Sequence, residues 1–185
     1  MNTNDQKEST VGALSGLTVL DLSRILAGPT ATQLLGDLGA EIIKIERPGK
    51  GDDTRAWGPP FLKDAEGKDT EESAYYLSSN RNKQSVAINL ASEEGRELIR
   101  QLADGADILV ENFKVGDLAR YGLDYEALSQ RNPRLIYCSI SGFGQTGPYA
   151  PRAGYDFLVQ GMGGIMSITG DPLDHPQSTG PMKVG

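Results

Sequence analysis

The sequence is poor in the residues that build disulfide frameworks and metal centres, with one cysteine (Cys138) and one histidine (His175). A single cysteine excludes an internal disulfide and is typical of a reducing compartment. Cys138 lies in the apolar run 135–140, which predicts a packed strand thiol rather than a nucleophile. No apolar run approaches a transmembrane length, and the polar residues 1–10 include Asp5 and Glu8 without an apolar core. We therefore expect a cytoplasmic protein with no membrane segment and no targeting signal.

Positive charge is also scarce, since 18 Lys and Arg face 25 Asp and Glu, for a net charge of -7. This balance argues against a general nucleic-acid binder, although basic residues gather around 44–55 and 81–83. The length suffices for one domain with a substantial core. We predict a disordered tail at 1–13 and a folded domain over 14–185.

Strand and helix patterns alternate from residue 17 to residue 140. Short apolar, β-branched runs predict strands at 17–22, 41–46, 85–90, 107–111 and 135–140. Helices are predicted at 29–38, at 75–79, from the N-cap Ser92 onward, at 116–121 and at 125–130, with a long polar loop over 48–73. The alternation predicts a doubly wound, Rossmann-like α/β fold with a mostly parallel sheet.

Ligands of such folds bind beyond the carboxyl ends of the strands. The loops predicted there are 23–28, 47–55, 112–116 and 141–156, and they carry Arg24, Arg47, Arg55, Asn112 and Asp156. Asp156 stands between a Pro-rich loop and an apolar run, which predicts a carboxylate at the start of a helix facing a cleft. There it can act as a general base or a nucleophile, or it can simply cap the helix.

Residues 142–147 match the pattern G-x-G-x-x-G and follow a predicted strand. A dinucleotide site needs a helix to open directly after this pattern, and Pro148 and Pro151 disfavour one. Asp156 also comes too soon to serve as the acidic residue that binds the ribose. We therefore disfavour a nicotinamide cofactor and expect a tight loop whose backbone can approach a ligand.

An ordered set of short segments runs through nearly the whole chain after the tail. The segments are 14–21 (LSGLTVLD), 27–29 (AGP), 38–46 (LGAEIIKIE), 51–55 (GDDTR), 80–83 (NRNK), 110–113 (VENF), 141–148 (SGFGQTGP) and 152–156 (RAGYD). Together they resemble the class III CoA-transferases, the family of formyl-CoA and carnitine CoA-transferases that includes α-methylacyl-CoA racemase. The resemblance implies the N-terminal part of the family's large, Rossmann-like, CoA-binding domain.

The resemblance also implies roles for individual residues. Asp156 matches the catalytic aspartate, which attacks an acyl-CoA thioester and forms a mixed anhydride while the CoA thiolate leaves. The residues that match CoA-contacting positions are Arg24, Ile25, Leu26, Asn112 and Phe113 along the cofactor and Arg47, Lys83 and Arg120 at its nucleotide end. Coenzyme A is then a substrate, and the resemblance implies no permanently bound cofactor and no metal.

Tyr155, the residue before Asp156, favours transfer over racemisation. Racemases of the family resemble a Gly-His-Asp pattern in which the histidine is the base, whereas a tyrosine with a pKa of about 10 accepts protons poorly near neutrality. Residues 52–61 and 152–156 look most like members that use succinyl-CoA and a dicarboxylate acceptor. We expect transfer of CoA from an acyl-CoA, such as succinyl-CoA, to a carboxylic acid. A racemase or epimerase and a non-catalytic CoA-binding fragment stay open as alternatives.

Members of the family are much longer chains and form interlocked homodimers, in which each ring-like chain threads the other. The present sequence lacks the second domain and the C-terminal segment that the resemblance implies. We therefore expect a fragment with little or no turnover, which does not close such a dimer. It should also expose apolar surface that a partner segment would otherwise cover.

Overall fold

A computed structural model of the chain describes residues 12–171 together with residues 180, 182 and 184. Apart from Gly12 and Ala13, the predicted tail lies outside these residues, and so does His175. The chain divides into two compact units, one ending at Ile140 and the other beginning at Ser141. No helix in the described part is both long and apolar enough to cross a membrane.

The described residues form seven strands and five helices. The strands are β1 (Thr18–Asp21), β2 (Glu41–Glu46), β3 (Phe61–Lys63), β4 (Asp69–Ser73), β5 (Lys83–Ala87), β6 (Ile108–Glu111) and β7 (Ile136–Ser139). The helices are α1 (Ala27–Asp37), α2 (Ala74–Asn80), α3 (Glu93–Gly105), α4 (Tyr125–Arg131) and α5 (Asp156–Met162). Short 3₁₀ turns lie at Asp53–Ala56, Ala119–Tyr121 and Ile165–Ile168.

The first unit is built on a five-stranded sheet in the order β5-β2-β1-β6-β7. Every neighbouring pair of its strands is parallel. The chain winds outward from β1 to β5 and then returns to β6, so the winding direction reverses between β1 and β6. This arrangement confirms the predicted doubly wound α/β fold and places the switch point between these two strands.

Apolar side chains cover both faces of the sheet. On one face, Leu20 and Leu109 pack in a cluster with Ile99 of α3 and Leu128 of α4, and each is 1% exposed or less. Burying a side chain of this size stabilises the fold by about 1.5–3 kcal/mol. Val19, Ile42 and Val110 form the centre of a second cluster, and α1 contacts the strands that carry them. The predicted N-cap of α3 is confirmed, because the Ser92 side chain accepts a hydrogen bond from the Gly95 N–H at 3.0 Å.

The prediction of one long loop over 48–73 was wrong. This segment contains a 3₁₀ turn and the antiparallel hairpin β3-β4. The hairpin strands are short and largely polar, so no alternating apolar pattern marks them in the sequence. Arg55 ties the segment to the sheet, since its guanidinium contacts Glu46 of β2 at 2.8 Å and the Tyr76 hydroxyl at 2.6 Å.

Two further predictions were wrong. The helix expected at 116–121 is only a 3₁₀ turn, because Gly116 and Gly122 have φ values of 85° and 63°, which end a helix. Cys138 is exposed rather than packed. It lies on the edge strand β7 beside Ile136, which is 63% exposed.

Candidate functional site

A cleft of about 220 Å³ lies at the carboxyl edge of the sheet in the first unit. Buried Leu22, Ile45 and Ile88 and half-buried Phe113 give it an apolar lining. These residues come from the ends of β1, β2, β5 and β6, so the cleft lies at the switch-point edge where ligands of this fold bind. The exposed Arg24 and Arg47 also line it and add positive charge.

Asp53 bridges the two arginines of the cleft. One carboxylate oxygen contacts Arg24 Nη2, and the other lies 3.7 Å from Arg47 Nη2. The three side chains are 37–52% exposed. Because ion pairs exposed to this degree contribute only about 0–1 kcal/mol, a ligand with several phosphate oxygens can replace Asp53. The cleft therefore offers two cations to an anionic ligand.

Asn112 fixes the backbone of Arg24. Its side-chain oxygen accepts a hydrogen bond from the Arg24 N–H at 2.9 Å, and its amide group donates to the Arg24 carbonyl at 2.7 Å. This pair of bonds joins the loop after β1 to the loop after β6 across the switch point. Asn112 thus acts on the cleft through Arg24.

Two lysines and two aspartates are buried beneath the loop after β1. Lys44 Nζ lies 3.0 Å from Asp52 Oδ2, and both side chains are 0% exposed. Lys83 Nζ lies 3.1 Å from Asp21 Oδ2, and these side chains are 1% and 0% exposed. Buried charges of this kind require partners, and here each cation faces a carboxylate.

Lys83, which the sequence assigned to the nucleotide end of CoA, does not line the cleft. Its ammonium donates to Asp21, to the Pro29 carbonyl at 2.8 Å and to the Asn80 side chain at 3.0 Å. Burial lowers the pKa of Lys83 to about 8, although the Asp21 carboxylate opposes this shift. In this geometry its three N–H groups hold β5 to β1, α1 and α2 rather than a ligand.

The other predicted contact residues do not line the cleft. Ile25 is half-buried and Leu26 is 46% exposed, directly before α1. Arg120 is exposed and pairs with Asp117 at 2.5 Å, whereas its neighbour Tyr121 contributes to the cleft lining. The structure therefore brings Arg24, Arg47 and Phe113 together at one cleft and leaves the other predicted contact residues outside its lining.

Asp156 lies in the second unit, where it is the first residue of α5 and is exposed. A carboxylate in the first turn favours helix formation through the helix dipole. Gln160, one turn later, donates its side-chain N–H to Asp156 Oδ2 at 2.8 Å. The Gln160 amide also exchanges two hydrogen bonds of 2.9 Å with the backbone of Val184. An exposed and oriented carboxylate at a helix start can act as a nucleophile.

The glycine pattern of residues 142–147 supports this helix start by a close backbone contact. A Cβ atom on Gly142 would lie 2.2 Å from the Gly154 Cα, and a Cβ atom on Gly154 would lie 2.2 Å from the Gly142 Cα. Residues 148–155 contain no helix, so no helix opens directly after the pattern as a dinucleotide site requires. The glycines instead let the loop approach the backbone two residues before Asp156.

Sequence reasoning missed Lys44 and Asp52, which carry the buried pair under the loop. A signal was present, because Lys44 interrupts the apolar run of β2, and a lysine in a buried strand requires a counter-charge. The position of that counter-charge was not visible, since Asp52 lies beyond the strand in a polar segment.

These features define a doubly wound α/β protein with an apolar, cation-edged cleft at its switch point, an architecture that suits nucleotide-containing ligands. The profile of CoA-transferase family III matches residues 14–184, and the chain belongs to this family.

Two relatives and one solved structure illustrate the similarity. The chain is 57% identical to a succinate–glutarate CoA-transferase of Agrobacterium fabrum over 167 residues, which are 90% of this chain and 42% of the relative. It is 51% identical to the succinyl-CoA:glutarate CoA-transferase of Homo sapiens over 172 residues, covering 93% of this chain and 36% of that protein. A crystal structure of a CAIB/BAIF family protein from Brucella suis superimposes with a TM-score of 0.86 at 56% identity, covering 95% of this chain and 44% of that one. The chain thus spans less than half the length of these proteins.

Proposed function

We propose that the chain forms the CoA-binding part of a CoA-transferase that moves CoA from an acyl-CoA, with succinyl-CoA as donor, to a dicarboxylic acid. The observation that carries the proposal is the cleft lined by Arg24, Arg47 and Phe113 at the switch point. Its two arginines suit the phosphates of CoA, and its apolar lining suits the uncharged parts of the same molecule. The names of the relatives support succinyl-CoA and glutarate as substrates.

Asp156 is the proposed nucleophile. Its carboxylate oxygen attacks the thioester carbonyl carbon, the carbon–sulfur bond breaks, and CoA leaves as a thiolate. The product is a mixed anhydride on Asp156 that keeps the acyl group activated. Exchange of the two acids then proceeds through further anhydride and thioester steps, so the thioester energy is preserved as long as water stays out.

The proposal can be tested with hydroxylamine in the whole protein. During turnover with succinyl-CoA, hydroxylamine should trap the activated carboxyl group as a hydroxamate on Asp156, which peptide mass spectrometry locates. Asp156→Ala should abolish the label and reduce transfer by about 10³-fold or more. Asp104→Asn removes an exposed carboxylate of α3 that lies outside the cleft and should change neither.

Active transfer without any label on Asp156 would contradict the mechanism. Deuterium entering the α-carbon of an acyl-CoA, without exchange of CoA between acids, would instead show a racemase. The cytoplasmic location stays a prediction, and so does the expectation that this chain alone does not close the family's interlocked homodimer.

A further inference from the structure

Ile25 has an unusual backbone conformation, with a φ of 72°. This left-handed region is unfavourable for β-branched residues, because the side chain crowds the backbone. Among the described residues, the other non-glycine position with positive φ is Asn82, and asparagine tolerates this region. An isoleucine needs surrounding contacts to remain there.

Asp52 supplies such a contact. Its two carboxylate oxygens accept a hydrogen bond from the Ile25 N–H at 3.3 Å and 3.4 Å. Asp52 is itself held in place, since it accepts from the Thr54 N–H at 3.0 Å and from the Thr54 hydroxyl at 2.8 Å. The buried pair with Lys44 fixes it from the other side.

The charge on Asp52 is maintained although the side chain is fully buried. Burial raises the pKa of Asp52, but the Lys44 ammonium and the Thr54 hydrogen bonds outweigh this effect and hold the pKa below its ordinary value. A charged acceptor makes a stronger hydrogen bond to a backbone N–H than a neutral one does.

Lys44 and Asp21 bind the backbone of the same loop at Ser23. Lys44 donates to the Ser23 carbonyl at 2.8 Å, and Asp21 accepts from the Ser23 N–H at 2.9 Å. Asn112 accepts from the Arg24 N–H and donates to the Arg24 carbonyl. Side chains therefore bind every backbone N–H and carbonyl from the Ser23 N–H to the Ile25 N–H. The loop that carries Arg24 into the cleft therefore has a conformation imposed from outside.

We propose that Asp52 is a positioning residue of the acyl-CoA site, which holds Ile25 in the left-handed conformation and thereby presents Arg24 to the cleft. The inference rests on the proposed function, since that function assigns the cleft to CoA. Asp52 borders the cleft, but its side chain is fully buried, so it acts through the Ile25 backbone rather than by touching the ligand.

The test is a mutant cycle in the whole protein with succinyl-CoA as the substrate. The variants are Asp52→Asn, Ile25→Gly and Ile25→Ala, together with each Ile25 variant combined with Asp52→Asn. Gly and Ala both remove the Ile25 side chain, but glycine adopts positive φ without penalty and alanine does not. Comparing the glycine variant with the alanine variant therefore separates the effect of the backbone conformation from the effect of lost side-chain packing.

We expect Asp52→Asn to raise KM for succinyl-CoA about tenfold while kcat stays within about threefold, because binding and not the chemical step is affected. In the Ile25→Ala background the same rise should appear. In the Ile25→Gly background the rise should shrink to about threefold or less, since glycine no longer needs the carboxylate. An equal rise in both backgrounds would overturn the proposal, because a purely structural role of Asp52 predicts it.

Asp52→Asn leaves the Lys44 ammonium buried without its counter-charge and could prevent folding. In that case the comparison of Ile25→Gly with Ile25→Ala, made in protein that keeps Asp52, tests the proposal. Ile25→Gly should melt about 2 °C or more above Ile25→Ala, although glycine is usually the less stabilising of the two residues. It should also show the lower KM. An alanine variant as stable and as active as the glycine variant would refute a left-handed residue 25.

Failure of the proposed function gives a different result. A wild-type protein that neither transfers CoA nor binds it would refute the acyl-CoA site, and with it the positioning role. The melting order of the Ile25 variants would still report whether the left-handed loop exists.

Discussion

The Lys44–Asp52 pair should show strong coupling in its contribution to folding stability. Both side chains are fully buried, and the Nζ–Oδ2 distance is 3.0 Å. Removing one member leaves the other charge buried, which typically costs about 3–5 kcal/mol. We expect this loss for Asp52→Asn and, at the lower end, for Lys44→Met, since Asp52 then retains its bonds from Thr54. Replacing both removes both charges and should cost less than either single change, about 2 kcal/mol or less.

The unfolding free energy can be followed through Trp57, the single tryptophan of the chain, which lies in the first unit. Its fluorescence in a urea titration reports on that unit, and a domain stability of about 5–15 kcal/mol makes such losses measurable. The exposed pair of Lys63 and Asp69, 59% and 55% exposed, serves as the control and should show little coupling. Single losses at Lys44 and Asp52 that simply add in the double variant would refute the buried pair.

Two further predictions concern Lys83 and the glycine contact. Burial lowers the pKa of Lys83 to about 8 from 10.5. Between these two pH values the unfolded chain therefore binds a proton that the folded chain does not. The unfolding free energy should therefore rise with pH over this range, by up to about 3 kcal/mol relative to Lys83→Met. A difference in unfolding free energy between the two proteins that does not change with pH would contradict the lowered pKa. Gly142→Ala places a Cβ 2.2 Å from the Gly154 Cα and must displace the segment before Asp156. In steady-state kinetics it should lower kcat by about tenfold or more, whereas Gly105→Ala, whose Cβ meets nothing within 4 Å, should leave kcat unchanged.

The parallel sheet was predictable chiefly from its central strands β1, β2 and β6, which are largely buried and apolar. Runs such as that of β2 are visible without any contact information, and the helix between β1 and β2 forces a parallel pair. The hairpin β3-β4 and the exposure of Cys138 were not predictable. The first has too little apolar alternation, and the second depends on β7 lying at the edge of the sheet.

The candidate site divides along a similar line. Arg24, Arg47 and Phe113 follow strands at the edge where the fold gathers ligand loops, so their convergence could be inferred from order along the chain. Lys83 has the same residue type as a phosphate contact, but the structure buries it against Asp21. Residue type and position cannot distinguish an exposed lysine from a buried one, since the difference lies in contacts between residues 62 positions apart.

The buried side chains of Lys44 and Asp52 make hydrogen bonds to the loop that apolar side chains could not make. Hydrophobic residues in place of a buried ion pair are often equally or more stabilising, so stability alone does not explain Lys44 and Asp52. A loop without helix or strand geometry, however, leaves backbone N–H and carbonyl groups that need partners when they are buried. Methyl groups cannot accept the Ile25 N–H or donate to the Ser23 carbonyl, whereas these two side chains do both. The polar network therefore allows an irregular loop to stay rigid at the switch point, where a helix or a strand would carry Arg24 in a different direction.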